Sequence, residues 1–160
     1  MKRLGVFCGS HSGNQPDFAI AAKHVGQLLL KNKIELVYGG GRLGLMGTLA
    51  NTILKGGGNV IGVVPKFLLD KEGHPNLTKL HIVETMHERK ALIFSLADAF
   101  LLMPGGSGSL DEFFEIYTWS QLHLHDKPCA ILNYNRYYDD LIRFLDHAVA
   151  AGFLEKTIAK

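Results

Sequence analysis

The segment Met103-Pro104-Gly105-Gly106-Ser107-Gly108-Ser109-Leu110-Asp111-Glu112 gathers three glycines, two hydroxyls and two carboxylates into one short stretch. It follows an apolar run and precedes helical periodicity, so it reads as a strand-to-helix loop. Such a loop offers unpaired backbone N–H groups and the positive end of a helix dipole, which suit a phosphate. Ser109 and Glu112 also have capping-box spacing, and a well-capped helix is the plainer account. A cap, however, needs neither three glycines nor the second acid, Asp111. A carboxylate beside a phosphate nest points to chemistry on the sugar of a phosphorylated ligand. The phosphate would rest on N–H groups while Glu112 faces the reacting carbon. Arg89-Lys90, on the predicted helix before the strand feeding this loop, supply a counter-charge, and arginine suits forked contact with phosphate or carboxylate. The plainer account of Glu88-Arg89-Lys90 is a solvated charge run.

A second glycine cluster, Gly39-Gly40-Gly41-Arg42-Leu43-Gly44, satisfies the GxGxxG spacing of a dinucleotide-binding turn. It follows the second predicted strand rather than the first. The next strand ends in Val64-Pro65-Lys66, with no acid placed to hold a ribose hydroxyl. A tight turn with close helix–sheet packing is the reading the spacing favours over NAD. Neither cluster ends in the Lys-Ser/Thr of a P-loop. Gly56-Gly57-Gly58 reads as a helix stop. With Gly47, these three clusters hold eleven of the 18 glycines.

The elements that position these loops alternate. Apolar runs at Leu4–Cys8, Ile34–Tyr38, Val60–Val64, Leu80–Val83, Ala99–Met103 and Ala130–Asn133 read as strands, several apolar throughout, as strands covered on both faces are. Helices are expected at Asp17–Lys31 (with Phe18, Ala21, Ala22, Val25, Leu28 and Leu29 on one face), Leu45–Lys55, after a Thr85–Glu88 capping box, Leu110–Leu122 and Tyr137–Ala151. Residues 65–79 read as a long irregular stretch. The alternation implies an α/β fold: a Rossmann-like, doubly wound parallel sheet flanked by helices on both faces, one domain over residues 1–160. Ligands of such sheets bind beyond the carboxyl ends of strands.

Composition narrows the function classes. Hydrophobic residues make up 47% of the 160 and charged residues 20%, enough for a packed core. A formal net charge of +2 argues against a dedicated nucleic-acid or membrane-surface protein. Cys8 and Cys129 fall in strand-like runs without a CxxC or Cys/His cluster, so buried reduced thiols are expected. The apolar run after Arg3 is too short for a signal-peptide core, and no stretch approaches a membrane span. A cytoplasmic location fits.

Val37-Tyr38-Gly39-Gly40-Gly41 with Gly44-Leu45-Met46-Gly47, Met86-His87-Glu88-Arg89-Lys90, and Pro104 to Glu112 together resemble three ordered motifs of the LONELY GUY family of cytokinin-activating phosphoribohydrolases. Phe7-Cys8-Gly9-Ser10, Thr118-Trp119-Ser120-Gln121-Leu122 and His125-Asp126-Lys127-Pro128 extend the resemblance to residues 4–154. Ser109 stands where the family's PGGxGTxxE signature has threonine, which keeps the hydroxyl. The resemblance also leads one to expect a further helical segment after Lys160. It implies hydrolysis of the N-glycosidic bond of AMP or an N6-modified AMP to free base and ribose 5-phosphate, in a homodimer. Arg89 and Glu112 would be the catalytic pair. Gly106, Gly108 and Ser109 would hold the phosphate, and Ser107, Lys90, Asp111, Thr118 and Glu72 would contact substrate.

Glycosidic cleavage passes through an oxocarbenium-like state that a carboxylate stabilises while activating water. Arg89 is expected to orient Glu112 or to keep it ionised. No metal or redox cofactor is demanded. These proteins have been catalogued as possible lysine decarboxylases, but nothing here resembles a pyridoxal-phosphate lysine site. The alternative is a non-catalytic nucleotide or cofactor carrier on the same fold, as the molybdenum-cofactor carriers that resemble this family are. A pure binder has no need of both Arg89 and Glu112.

Overall fold

All six expected strands pair into one parallel sheet in the computed structural model, which describes residues 1–155. The end of the domain expected over 1–160 lies outside the described residues. The strands are β1 (Arg3–Phe7), β2 (Glu35–Tyr38), β3 (Val60–Pro65), β4 (Lys79–Val83), β5 (Ala99–Leu102) and β6 (Cys129–Ile131), in the order β4-β3-β2-β1-β5-β6. Val6 of β1 stands between Tyr38 of β2 and Leu101 of β5. The helices are α1 (Pro16–Lys31), α2 (Gly44–Lys55), α3 (Lys66–Glu72), α4 (Met86–Leu96), α5 (Ser107–Gln121) and α6 (Asp139–Ala150).

Successive strand residues point to opposite faces, so the core divides in two. Val6, Leu36, Tyr38 and Val60 meet Phe18 and Leu29 of α1 and Leu49 and Ile53 of α2. Phe7, Val37, Ile61 and Phe100 meet Ile93 of α4, Phe113 and Ile116 of α5 and Leu145 of α6. This is the doubly wound arrangement expected from the alternation. β3, flanked by β2 and β4, is buried at every position, while the edge strand β4 leaves Leu80 and Ile82 exposed.

The winding direction reverses between β1 and β5. Chain segments that leave these neighbouring strands diverge to opposite faces and open a crevice between them. The two exit loops are tied at its base, where Met103 N donates to Phe7 O at 2.8 Å and Gly9 N to Pro104 O at 3.0 Å.

Four local expectations are corrected. Residues 65–79 are not irregular throughout: α3 occupies Lys66–Glu72 before the turn into β4. Leu28 is 52% exposed, because the apolar stripe of α1 closes over Ala21, Ala22 and Leu29. The last helix begins at Asp139 rather than Tyr137, after a separate 3-10 turn at Tyr134–Arg136 with Asn135 in the left-handed region. The fourth expected helix begins at Ser107 rather than Leu110. Gly106 is its extended N-cap residue and makes no side-chain cap, so Ser109 and Glu112 lie within the helix and form no capping box. The Thr85 cap is present in modified form: Thr85 Oγ1 accepts from Glu88 N at 3.1 Å, while the Glu88 carboxylate accepts from Glu84 N.

Candidate active site

A cavity of about 530 Å³ opens beyond the carboxyl ends of β1 and β5. Two loops form its walls: Cys8–Gly13 after β1, and Pro104–Gly106 running into the first turn of α5. Met86 and Arg89 enter from α4, Glu72 from the end of α3, Leu45 and Met46 from α2, and Phe18 and Tyr137 from the far side.

One end of the cavity presents uncapped backbone N–H groups. The first N–H groups of α5 have no intrahelical acceptor, and no side chain caps them. Gly106 and Gly108 have ordinary negative-φ backbone, and a Cβ added to either would meet no protein atom. Neither the backbone conformation nor the packing requires glycine there, and both residues line the cavity. Gly105 differs: a side chain there would strike Ser109 Oγ. Tyr137 Oη donates to Gly105 O at 2.8 Å and steadies the loop.

Beside this end sits the Arg89–Glu112 pair. Their side chains are 10% and 12% exposed, with Arg89 Nη1 3.5 Å from Glu112 Oε1. That is an ion pair without a hydrogen bond, and Glu112 Oε1 and Arg89 Nε are buried with no hydrogen-bond partner. Burial therefore dominates the carboxyl: it pushes the Glu112 pKa up, and the Arg89 charge offsets only part of that. The expectation that Arg89 holds Glu112 in its ionised form is corrected to this extent. Arg89 acts in that direction, but desolvation outweighs it. The solvated-run account of Glu88-Arg89-Lys90 also fails, since Arg89 is among the few buried charged residues.

The structure brings together eight of the ten site residues expected from sequence: Arg89, Glu112, Glu72, Gly106, Ser107, Gly108, Ser109 and Asp111 all line the cavity. Lys90 and Thr118 do not. Lys90 Nζ lies 2.6 Å from Glu115 Oε2 and 3.2 Å from Asp111 Oδ2, and these partners raise its pKa. Thr118 is exposed, one turn beyond Glu115 on the same face of α5. Sequence reasoning missed the β1 exit loop, Met46, Met86 and Tyr137 as lining. For the loop there was a signal, its place after a strand; for Tyr137 there was none.

The Gly39–Gly44 cluster is not a dinucleotide seat. The space beside Gly39 is filled by the Arg89 guanidinium, and residues 39–44 do not line the cavity. Both cysteines are free and buried, and burial pushes Cys8 up to about 12 and Cys129 to about 11. Among the described residues no group of three or more His, Cys, Asp and Glu side chains gathers as a metal site. Nor is any described helix long and apolar enough to cross a membrane.

Comparison with known proteins identifies the family. The family described as possible lysine decarboxylase matches residues 46–160. A cytokinin riboside 5'-monophosphate phosphoribohydrolase from Rhodococcoides fascians is 47% identical over 155 residues, 96% of this chain and 78% of its own. One from Arabidopsis thaliana is 45% identical over 157 residues, covering 98% and 74% respectively. Among solved structures, a molybdenum cofactor binding protein from Rippkaea orientalis superposes with a TM-score of 0.70 at 19% identity, over 98% of this chain and 86% of that one. This last likeness is one of fold. The extent of the family match and the identity to its named members place the chain in the possible lysine decarboxylase family, alongside the cytokinin riboside 5'-monophosphate phosphoribohydrolases.

Proposed function

We propose that this protein hydrolyses the N-glycosidic bond of adenosine 5'-monophosphate or its N6-modified forms, releasing the free base and ribose 5-phosphate. The observation that carries this is Glu112: a buried carboxylate whose Oε1 has no hydrogen-bond partner, 3.5 Å from Arg89 and one turn along the helix from an uncapped, glycine-cleared N-terminus. The names of the relatives at 45–47% identity support the same substrate class.

In this reading the 5'-phosphate rests on the N–H groups of Ser107, Gly108 and Ser109, which extends the ribose toward Glu112. As the bond from C1' to the base nitrogen breaks, positive charge develops on the sugar and the carboxylate stabilises it. A water adds its oxygen to C1' and gives one proton to Glu112; the base leaves with the electron pair of the broken C1'–N bond, and the proton held by Glu112 passes to the base nitrogen, which restores the carboxylate. Burial suits Glu112 to this role, because a carboxyl raised toward neutral pH is a stronger base. Arg89 keeps a share of its negative charge available and orients it.

The reading extends to a single-domain, cytoplasmic homodimer. Lys90 and Thr118 lie on an α4–α5 face outside the cavity, so they reach substrate only if a second copy closes over that face. A base-release assay over a panel of nucleotides tests the activity. AMP or N6-isopentenyl-AMP should yield free base, and the corresponding nucleosides, lacking the phosphate anchor, should not. Nucleotide binding without release from any monophosphate would overturn the reading in favour of a carrier.

A further inference from the structure

The turn after β2 stays out of the cavity, yet it holds two residues that line it. Gly39 O accepts from Arg89 Nη2 at 3.1 Å. Gly40, in the left-handed region at φ 75°, turns the chain so that its carbonyl accepts from His74 N at 2.9 Å. Gly41 bridges Gly73, and Arg42 N donates to Glu72 O at 2.8 Å. Arg89 from α4 and Glu72 from α3 thus hang from one short turn.

Arg89 has few other anchors. Nη1 is 3.8 Å from the Met86 sulfur and 3.5 Å from Glu112, and Nε has no hydrogen-bond partner. The Gly39 carbonyl is the one oxygen to which the guanidinium donates a hydrogen bond among the described residues. A Cβ on Gly39 would collide with Nη2 and stand 3.0 Å from Cζ. Gly39 is not in the left-handed region, so its missing side chain serves Arg89 rather than the backbone.

We propose that Gly39 is a positioning residue for the hydrolytic reaction: its carbonyl and its bare Cα together fix the Arg89 guanidinium so that Nη1 faces Glu112. The inference rests on the hydrolase reading above. The turn therefore does for a catalytic side chain what its spacing would lead one to expect it to do for a cofactor.

Gly39→Ala tests it. The colliding atoms belong to the far end of a flexible side chain, so the fold should hold while the guanidinium moves. A displacement near 1 Å costs roughly 100-fold in rate. We therefore expect kcat to fall by about that factor with KM within about threefold, the pattern of a contact that matters in the transition state. The Glu112-linked limb of the pH–rate profile should move to higher pH, because Arg89 holds that carboxyl down. The other charged or titratable groups that influence Glu112 are Lys90 on α4, Asp111 and Glu115 on its own helix, and Cys8 after β1. In an Arg89→Ala background, Gly39→Ala should have no further effect.

Arg89→Lys is the second variant. It keeps the charge but cannot hold the carbonyl and face Glu112 together, so it should lose about as much. Wild-type protein that releases no base overturns the hydrolase reading. Active wild-type protein with a fast Gly39→Ala or Arg89→Lys variant, or with losses that multiply independently in the double variant, overturns the positioning role.

Discussion

Replacing Glu112 with glutamine should lower activity and raise stability. At 3.5 Å and an effective dielectric near 20, the attraction between Arg89 and an ionised Glu112 is about 5 kcal/mol. The Glu112 pKa is nonetheless raised, so the cost of burying the charge, with the repulsion of Asp111 and Glu115, exceeds that attraction together with the smaller help from Lys90. An ionised Glu112 is therefore a net burden on the folded chain, and glutamine removes it with almost no change of shape. A folded pKa above the unfolded one means that stability is full below the usual carboxylate range and falls as pH rises through the folded value. Melting temperatures of the wild type and Glu112→Gln should coincide near pH 4. They should separate as pH rises, the variant ending higher, with each 1 kcal/mol of difference appearing as about 2–4 °C. Base release, which needs a proton acceptor that glutamine lacks, should fall by about 100- to 10,000-fold. Nucleotide affinity, which rests on the α5 N-terminus, should stay within about threefold. The measurements are differential scanning calorimetry across pH, a base-release assay and nucleotide titration. Full activity in the variant would refute the assigned role. Melting temperatures that keep a constant gap at every pH would refute the argument that burial governs this carboxyl.

Gly108→Ala should fold at least as stably as the wild type, since its Cβ meets no atom and alanine is the better helix former. It should nevertheless raise KM for the nucleotide by about tenfold, because the methyl occupies space the phosphate needs; an unchanged KM places the phosphate elsewhere. The two thiols give a check on burial. With Cys8 pushed up to about 12, roughly one molecule in 10,000 is thiolate at pH 8, so a disulfide reagent should titrate neither Cys8 nor Cys129 in the folded protein and both after denaturation. Rapid native labelling of Cys8 would show the cavity floor to be open to water.

The architecture was legible because its signals are local and redundant. Each strand is an apolar run bounded by turn residues, and five of the six helices carry either periodicity or a cap. The failures have physical causes. Leu28 occupies a stripe position on α1, but the stripe is wider than the surface it covers, and nothing in the helix itself tells which flank faces α2. The false capping box at Ser109 and Glu112 shows the limit of spacing. Gly106 is extended and opens the helix three residues earlier, moving Ser109 inward toward Gly105. No residue preference within the segment decides between the two starts.

The site was less legible because its decisive contacts are long-range. Nothing in Met86–Leu96 distinguishes a buried Arg89 from an exposed one: the helix has apolar residues on several sides, and Glu88 and Lys90 flank the arginine in sequence. What decides the matter is the carbonyl of Gly39, fifty residues away, reached only after three strands have aligned. The same holds for Gly39-Gly40-Gly41. Its spacing matches a cofactor turn because both uses need a backbone free of side chains at the end of a strand, and the pattern does not record whether a pyrophosphate or a guanidinium fills the space. The missing acid after β3 argued against the cofactor without naming the occupant. Topology names it: α4 lies between β4 and β5, its first turn near the carboxyl ends of the strands, so a long cation there falls beside the turn after β2. Motif spacing identified residues that could bind an anion, and the reversal of winding between β1 and β5 determined which of them share a cavity.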